Sequence, residues 1–321
     1  MENGIKDYSI LFENEKEKHH IPVETVEQLN IYSNITITTG VLTTLTQKNI
    51  RCAIFDKYGY LQGYFIPNKH NSRADVLLKQ CELYTSGMKR LQVAKSMEIA
   101  GIHNMRANIR YYEKKKSDAR LEEVEKFLSE AIVCVNQAKT HEELMLTEAR
   151  ARQKYYLALN SMLGQEEFLF VQRTKRPPKD FVNSLISFGN TLLYNQFLQM
   201  IWKTSLEPQI GIVHATNRRS YSLNLDFADI YKPIIVDRVM LSLVNLKQIN
   251  VQSDFVKNDD GGVYLNKRGK KIYIEEFEKK LTDEITVKGK KYTYKQLMEQ
   301  EVRQFQRFVE YNEEYKPYKY Y

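Results

Sequence analysis

The hydrophobic period changes near residue 70, and that change constrains the fold more than any other feature of the sequence. From Tyr8 to about Pro67 the apolar residues fall in short β-branched or aromatic runs, "YSILF", "NITITTG", "IRCAIFD" and "YLQGYFI", separated by Asn, Lys or Gly. That is the pattern of strands. The segment "PNKHNSRAD" interrupts it with Pro67 and Asn71, and places Ser72 to cap a helix after it. From about Ala74 the apolar residues recur at three and four, the helical period. A chain of 321 residues, 42% of them hydrophobic, exceeds the size at which one core keeps growing. The reading is an α+β protein, with a small N-terminal β domain over residues 1–70 and a larger all-α C-terminal domain over residues 71–321.

Within the helical part, "KTHEELMLTEARARQKYYLALN" opens on Thr140 and Glu143, the spacing of a capping box. Leu144, Ala151, Tyr155, Ala158 and Met162 then share one face, and Glu148 falls on that same face. An unpaired carboxylate there costs roughly several kcal/mol of desolvation, so it requires an ionic partner, a proton or a metal ion. Arg152 lies four residues on, but an exposed helix pair contributes only about 0.3 to 0.5 kcal/mol, too little to justify burial. A second helix is signalled where Pro177 and Pro178 precede Asp180, a candidate N-cap. "IIVDRVMLSLVNL" and "YTYKQLMEQEVRQFQRFVEYNEE" read as further helices, and "NDDGGVYLNKRGKKIYI" as a hairpin or paired loop.

Chemistry-bearing residues concentrate in "GIVHATNRRSYSLNLDFADIYKP". His214 ends an apolar approach, Arg218 and Arg219 come next, and Asp226 and Asp229 stand three apart, on one face if that segment is helical. A lone histidine is commonly a satisfied core or cap residue, and an Asp pair beside a proline is commonly a solvated turn. Together with Glu148 they form a nitrogen and oxygen donor set that suits Mg²⁺ or Mn²⁺ better than zinc. Arg173, Lys175, Arg176 and Lys179 form a basic loop before the helix that begins near Asp180. It is either a solvated loop or a phosphate clamp. Asn183, Ser187, Asn190 and Tyr194 form a polar stripe, read as an exposed edge or as a groove wall facing DNA. His19 and His20 are expected to be exposed, and the tail "YNEEYKPYKYY" either stacks bases, docks a partner or frays.

The net charge of +8 points to a polyanionic partner. Cys52, Cys81 and Cys134 are odd in number and lack metal-ligand spacing, which suits a reducing cytoplasm. No signal-peptide pattern and no apolar run long enough to span a membrane is found, so a cytoplasmic, non-membrane protein is expected. A glycine-rich phosphate loop and a GxSxG elbow are also absent from the sequence.

The order of these motifs resembles the CRISPR-associated Cas1 integrase family. "EARARQKYY" is similar to the family's glutamate helix, "RPPKDFVNSLISFGNTLL" to its proline and asparagine helix, "GIVH" to its histidine and "SLNLDFADIYKP" to its acidic segment. "IPVETVEQLNIYSNITITTGVL", "AGIHNMRANIRYY" and "DGGVYLNKRGKKIYI" also match in character, so the resemblance runs over nearly the whole chain. It implies that Glu148, His214 and Asp229 are catalytic metal ligands for Mg²⁺ or Mn²⁺, with Asp226 a second-rank ligand. It further implies a homodimer through the β domain, a Cas2 partner, and double-stranded or branched DNA as substrate. The activity it implies is joining of spacer 3′-hydroxyl ends into a CRISPR repeat. Arg173, Lys175, Arg176, Lys179, Asn183, Arg218 and Arg219 are then the candidate DNA contacts. Ala149 and Gln153 stand where the family usually has Gly and Arg, and Lys232 replaces a frequent Arg. Two rivals remain at this point: a metal-dependent nuclease for branched DNA, and a non-catalytic DNA-binding scaffold.

Overall fold

The computed structural model describes residues 9–14, 16–56, 58–59, 61–67, 73–214 and 221–320. The chain falls into two compact units, Met1–Asn71 and Ser72–Tyr321. It is an α+β protein, with N-terminal strands followed by a mostly helical region.

In the first unit, strand β1 (Ser9–Glu13) pairs antiparallel with β2 (Lys18–Pro22), which is exposed along its length and carries His19 and His20. Strands β3 (Gln28–Ile31), β4 (Arg51–Phe55) and β5 (Leu61–Phe65) form a second sheet in that order. Because β3 and β4 are parallel, their connection must be a crossover, for which a hairpin does not suffice. Helix α1 (Thr39–Gln47) supplies it. The segment "NITITTG", expected as a strand, therefore ends in a helix. Thr38 caps the Val41 amide, and the hydroxyls of Thr43, Thr44 and Thr46 each bond a carbonyl four residues back. Local β propensity gives way to the crossover. Ile10, Val23, Ile31, Leu45, Ile50 and Cys52 form the core of this unit. Burial pushes the Cys52 thiol up to about 11, which leaves it an inert apolar filler.

The second unit runs through α2 (Ala74–Thr85), α3 (Gly87–Glu113), α4 (Ala119–Gln137), α5 (His141–Leu157), the short α6 (Leu159–Met162) and α7 (Phe181–Trp202). After α8 (Leu223–Tyr231), a wide turn at Pro233–Asp237 leads into α9 (Arg238–Asn245). Helices α10 (Lys267–Thr282) and α11 (Tyr294–Tyr311) complete the unit. This unit is not all helical. Antiparallel pairs β6 (Phe255–Lys257) with β7 (Val263–Leu265), and β8 (Glu284–Val287) with β9 (Lys290–Thr293), interrupt the helices. The expected hairpin at 258–274 is strand only as far as Leu265, because Asn266 accepts from the Gly269 amide at 3.0 Å and starts α10. Ser72, read as a cap, lies outside the described residues.

Helix α3 is the scaffold on which the site is assembled, since α4, α5 and α8 all pack on it. Gly101 permits the closest approach: a Cβ there would stand 3.3 Å from the Asp229 carbonyl oxygen. Further along α3, Asn104 donates to the Ile230 carbonyl at 2.8 Å, and Asn108 donates to the Pro233 carbonyl and the Tyr155 hydroxyl. Tyr155 in turn donates to buried Asp237 at 2.9 Å. Thus α5 and the chain around α8 are fixed to one helix by side-chain amides. Asp180 caps α7 as expected, accepting from the Asn183 amide at 2.7 Å.

The tail after α11 is docked on this unit. Tyr315 donates to Glu301, the Tyr318 ring stacks on Tyr231 with centroids 5.6 Å apart, and Arg238 lies over the Tyr320 ring. Tyr315, Tyr318 and Tyr320 are engaged by the protein's own body rather than frayed. Among the described residues no helix is long and apolar enough to cross a membrane.

Candidate metal centre

Asp226, on the first turn of α8, organises the loop that carries His214. One of its oxygens accepts from the Ile212 and Val213 amides, at 2.5 and 3.1 Å, and the other from the His214 amide at 2.9 Å. Gly211 makes this wrap possible, because a Cβ there would stand 2.9 Å from the Ser222 side chain and 3.0 Å from an Asp226 oxygen. The His214 ring then donates Nδ1–H to Asp226 at 2.8 Å. That bond selects the tautomer whose Nε2 lone pair is free, and Nε2 stands 3.8 Å from Asp229 Oδ2. His141, at the start of α5, bonds the Val213 carbonyl at 2.6 Å and ties the histidine loop to the glutamate helix.

That helix starts as its sequence requires. Thr140 accepts from the Glu143 amide at 3.2 Å, while the Glu143 carboxylate reaches the Lys139 amide, one residue short of a reciprocal capping box. One and a half turns later Glu148 is buried, at 8% exposure, on the inward face. Arg152 donates Nε–H to Glu148 at 2.5 Å and brings Nη2 within 3.2 Å of Asp229. The second oxygen of Asp229 is bonded by Lys232, whose ammonium also lies 4.7 Å from the centre of the Tyr194 ring. The structure thus brings Glu148, His214, Asp226 and Asp229 together. It gives them unequal roles: both Asp226 oxygens are engaged in holding the loop, so Asp226 positions His214, while Glu148 and Asp229 are held by cations.

The electrostatics derive from those neighbours. Burial alone pushes the Asp229 carboxyl up, but Arg152, Lys232 and His214 hold it well below the usual carboxylate range. Burial opposes a charged His214, yet the bond to Asp226 and the charge of Asp229 raise its value above that of a free imidazole. Glu98 on α3, which sequence reasoning missed, is buried near both acids; desolvation, then the charges of Glu148 and Asp229, push it well up. Its signal was the one that exposed Glu148, since Glu98 shares a helix face with Ala94, Gly101, Ile102 and Met105.

The donor chemistry of Glu148, Asp229 and the His214 Nε2 fits a hard divalent ion, and the carboxylate behind the imidazole is the supporting contact that metal-bound histidines usually have. As they stand, no three His, Cys, Asp or Glu side chains among the described residues are spaced to hold an ion. The guanidinium of Arg152 links the two acids instead.

The basic loop lies against the start of α7. Arg173 donates to Asn183 at 2.8 Å and to Ser187 at 3.0 Å, and Lys179 reaches the Asp260 carbonyl at 3.3 Å. Lys175 is exposed, and desolvation with the charges of Lys232, Arg173 and Arg152 pushes its ammonium down. Arg176 is exposed. Asn183, expected at a DNA groove, is instead fully buried: it accepts from the Thr174 amide and donates to the Gln172 carbonyl and Asp180. Asn190 on the same stripe is buried as well, because α7 is enclosed on most sides. Arg218 and Arg219 lie outside the described residues.

Solved structures share this fold. Over 97% of this chain it aligns at TM-score 0.85 and 19% identity with a casposase bound to integration product, a likeness of fold alone. A Cas1 protein from Thermotoga maritima aligns at TM-score 0.82 and 34% identity, covering 95% of this chain and 93% of its own. The sequence goes further than the fold. The chain belongs to the CRISPR-associated Cas1 family, whose profile, "CRISPR associated protein Cas1", matches residues 3–279. It is 38% identical over 98% of its length, and 94% of the relative's, to a protein from Thermodesulfovibrio yellowstonii named CRISPR-associated endonuclease Cas1 2.

Proposed function

We propose that this protein is a divalent-metal-dependent DNA integrase and endonuclease of CRISPR adaptation, with Glu148, His214 and Asp229 as the ligands of one Mg²⁺ or Mn²⁺ ion. The observation that carries the reading is the way Asp226 aims the free imidazole nitrogen of His214 at the Asp229 carboxylate, which Arg152 links to Glu148. A hard cation held by these side chains would supply Lewis-acid polarisation of the scissile phosphate and would stabilise the charge that develops on the departing 3′-oxygen. The chain's own residues do the rest. Asp226 keeps His214 in one tautomer and one orientation. Lys232 and Lys175 bring positive charge to the phosphate, and Arg173 pins the basic loop that carries Lys175 and Arg176.

In the joining reaction the 3′-hydroxyl of a spacer end gives up its proton as its oxygen bonds to phosphorus in the repeat, the bridging P–O bond breaks, and the released 3′-oxygen takes up a proton. One phosphodiester replaces another, so no nucleotide hydrolysis is needed. With water as the nucleophile the same centre cleaves. A solved complex that aligns with this chain at TM-score 0.84 and 21% identity is titled a Cas6-RT-Cas1--Cas2 complex; we read Cas2 as the partner here, and the N-terminal unit as the face of a homodimer. The substrate is double-stranded or branched DNA, in a reducing cytoplasm.

The test is an integration assay with a short duplex bearing free 3′-hydroxyl ends, a supercoiled plasmid carrying a repeat, purified Cas2, and Mn²⁺ or EDTA. Joined and relaxed plasmid should form only with Mn²⁺ and be lost in His214→Ala. Metal-dependent cutting of branched DNA without joining would identify a nuclease, and chelator-insensitive binding alone a scaffold.

A further inference from the structure

Arg152 stands where Glu148 and Asp229 meet, with its side chain 18% exposed. Its Nε–H donates to Glu148 at 2.5 Å, whereas Nη2, 3.2 Å from Asp229, makes no hydrogen bond despite being enclosed. The guanidinium is therefore anchored at one acid and held only by charge at the other. Lys232 neutralises the remaining oxygen of Asp229. Arg152 and Lys232 already occupy Glu148 and Asp229, so a divalent ion arriving between these two acids meets the repulsion of both cations, which a water-exposed site would screen. Rotation relieves it, because Arg152 is a long side chain one turn beyond Glu148, and its head can leave without any movement of α5.

We propose that Arg152 is a resident counter-cation which occupies the two acids in the ion-free protein and must be displaced by the metal, so that this arginine sets the metal affinity of the centre. The inference rests on the metal reading above and adds a competitor to it. It also explains why a helix pair of negligible worth on a surface matters here: the same arginine reaches a second acid on another helix.

The experiment measures Mn²⁺ binding to the full chain by electron paramagnetic resonance of the free ion, with thermal melts alongside, for wild type, Arg152→Gln and Arg152→Lys. Arg152→Gln should melt lower than wild type without metal, bind Mn²⁺ about tenfold more tightly, and gain more melting temperature on adding it. Arg152→Lys, which keeps the charge but not the fork, should fall between. In wild type alone, Mg²⁺ should accelerate hydrogen exchange at the Arg152 Nε–H, a readout that survives if the Gln variant fails to fold. Equal or weaker binding by Arg152→Gln, with wild type still binding, would overturn the proposal and leave the metal reading intact. No binding by any of the three would remove the metal reading and the proposal together.

Discussion

Two buried acidic clusters in the helical unit differ in one respect, the charge of their neighbours. Asp229 and Glu148 face Arg152 and Lys232. Glu301 on α11 faces neutral donors: the hydroxyls of Tyr315 and Tyr231, at 2.5 and 3.3 Å, and the Tyr318 amide at 2.9 Å. Desolvation is the largest influence on both. Yet Asp229 is held far below the usual carboxylate range, while Glu301 is pushed up to about 7. Burial alone therefore does not make a reactive centre. An acid kept ionised by cations can exchange them for another cation, whereas an acid raised by burial and met only by hydroxyls and an amide serves as a clasp, here for the C-terminal tail.

The largest effect expected from breaking this contrast is at Asp226, the acid whose partners are mostly backbone amides. Asp226→Ala orphans two buried amides, the half-buried His214 amide and the His214 ring. It should cost about 3 to 5 kcal/mol in urea unfolding, as for breaking other buried charged contacts. A cost within experimental error would mean that the loop is held by something else.

Glu301 sharpens the contrast through pH. Its value in the fold, about 7, lies above the ordinary 4.5, so the fold favours the proton. Between those values the unfolded chain releases a proton that the native protein keeps, so stability falls as pH rises through the window and is level above it. By about 1.36 kcal/mol per pH unit the loss is at most roughly 3 kcal/mol. Comparing melts of wild type and Glu301→Gln across pH 4.5 to 8 isolates this group, and parallel curves would show that Glu301 is already ionised. The smallest effect concerns the basic loop. Replacing Lys175 or Arg176 by Gln should lower the slope of log affinity against log salt for duplex DNA by about one unit for each phosphate that side chain neutralises. An unchanged slope would take that residue out of the interface.

Much of this was legible in the sequence because helical periodicity is a strong signal. Glu148 declared itself by sharing a face with Leu144, Ala151 and Tyr155, and Asp180 by its place after paired prolines. Other features depend on contacts between distant residues. Nothing in "DFAD" says that the first acid gathers backbone amides from 212 to 214 while the second faces Arg152. The stripe from Asn183 to Tyr194 looked exposed because it is polar; in fact the amide of Asn183 satisfies the basic loop. "NITITTG" carried strand propensity, but parallel pairing of its flanking strands demanded a helix.

The most direct test of the central claim is the count of Mn²⁺ ions bound per chain by wild type, Glu148→Ala, His214→Ala and Glu301→Gln. One ion should bind to wild type and to Glu301→Gln and be lost or greatly weakened in the other two. Binding that survives both Glu148→Ala and His214→Ala, or vanishes in Glu301→Gln, would contradict the division between a cation-held centre and a hydroxyl-held clasp.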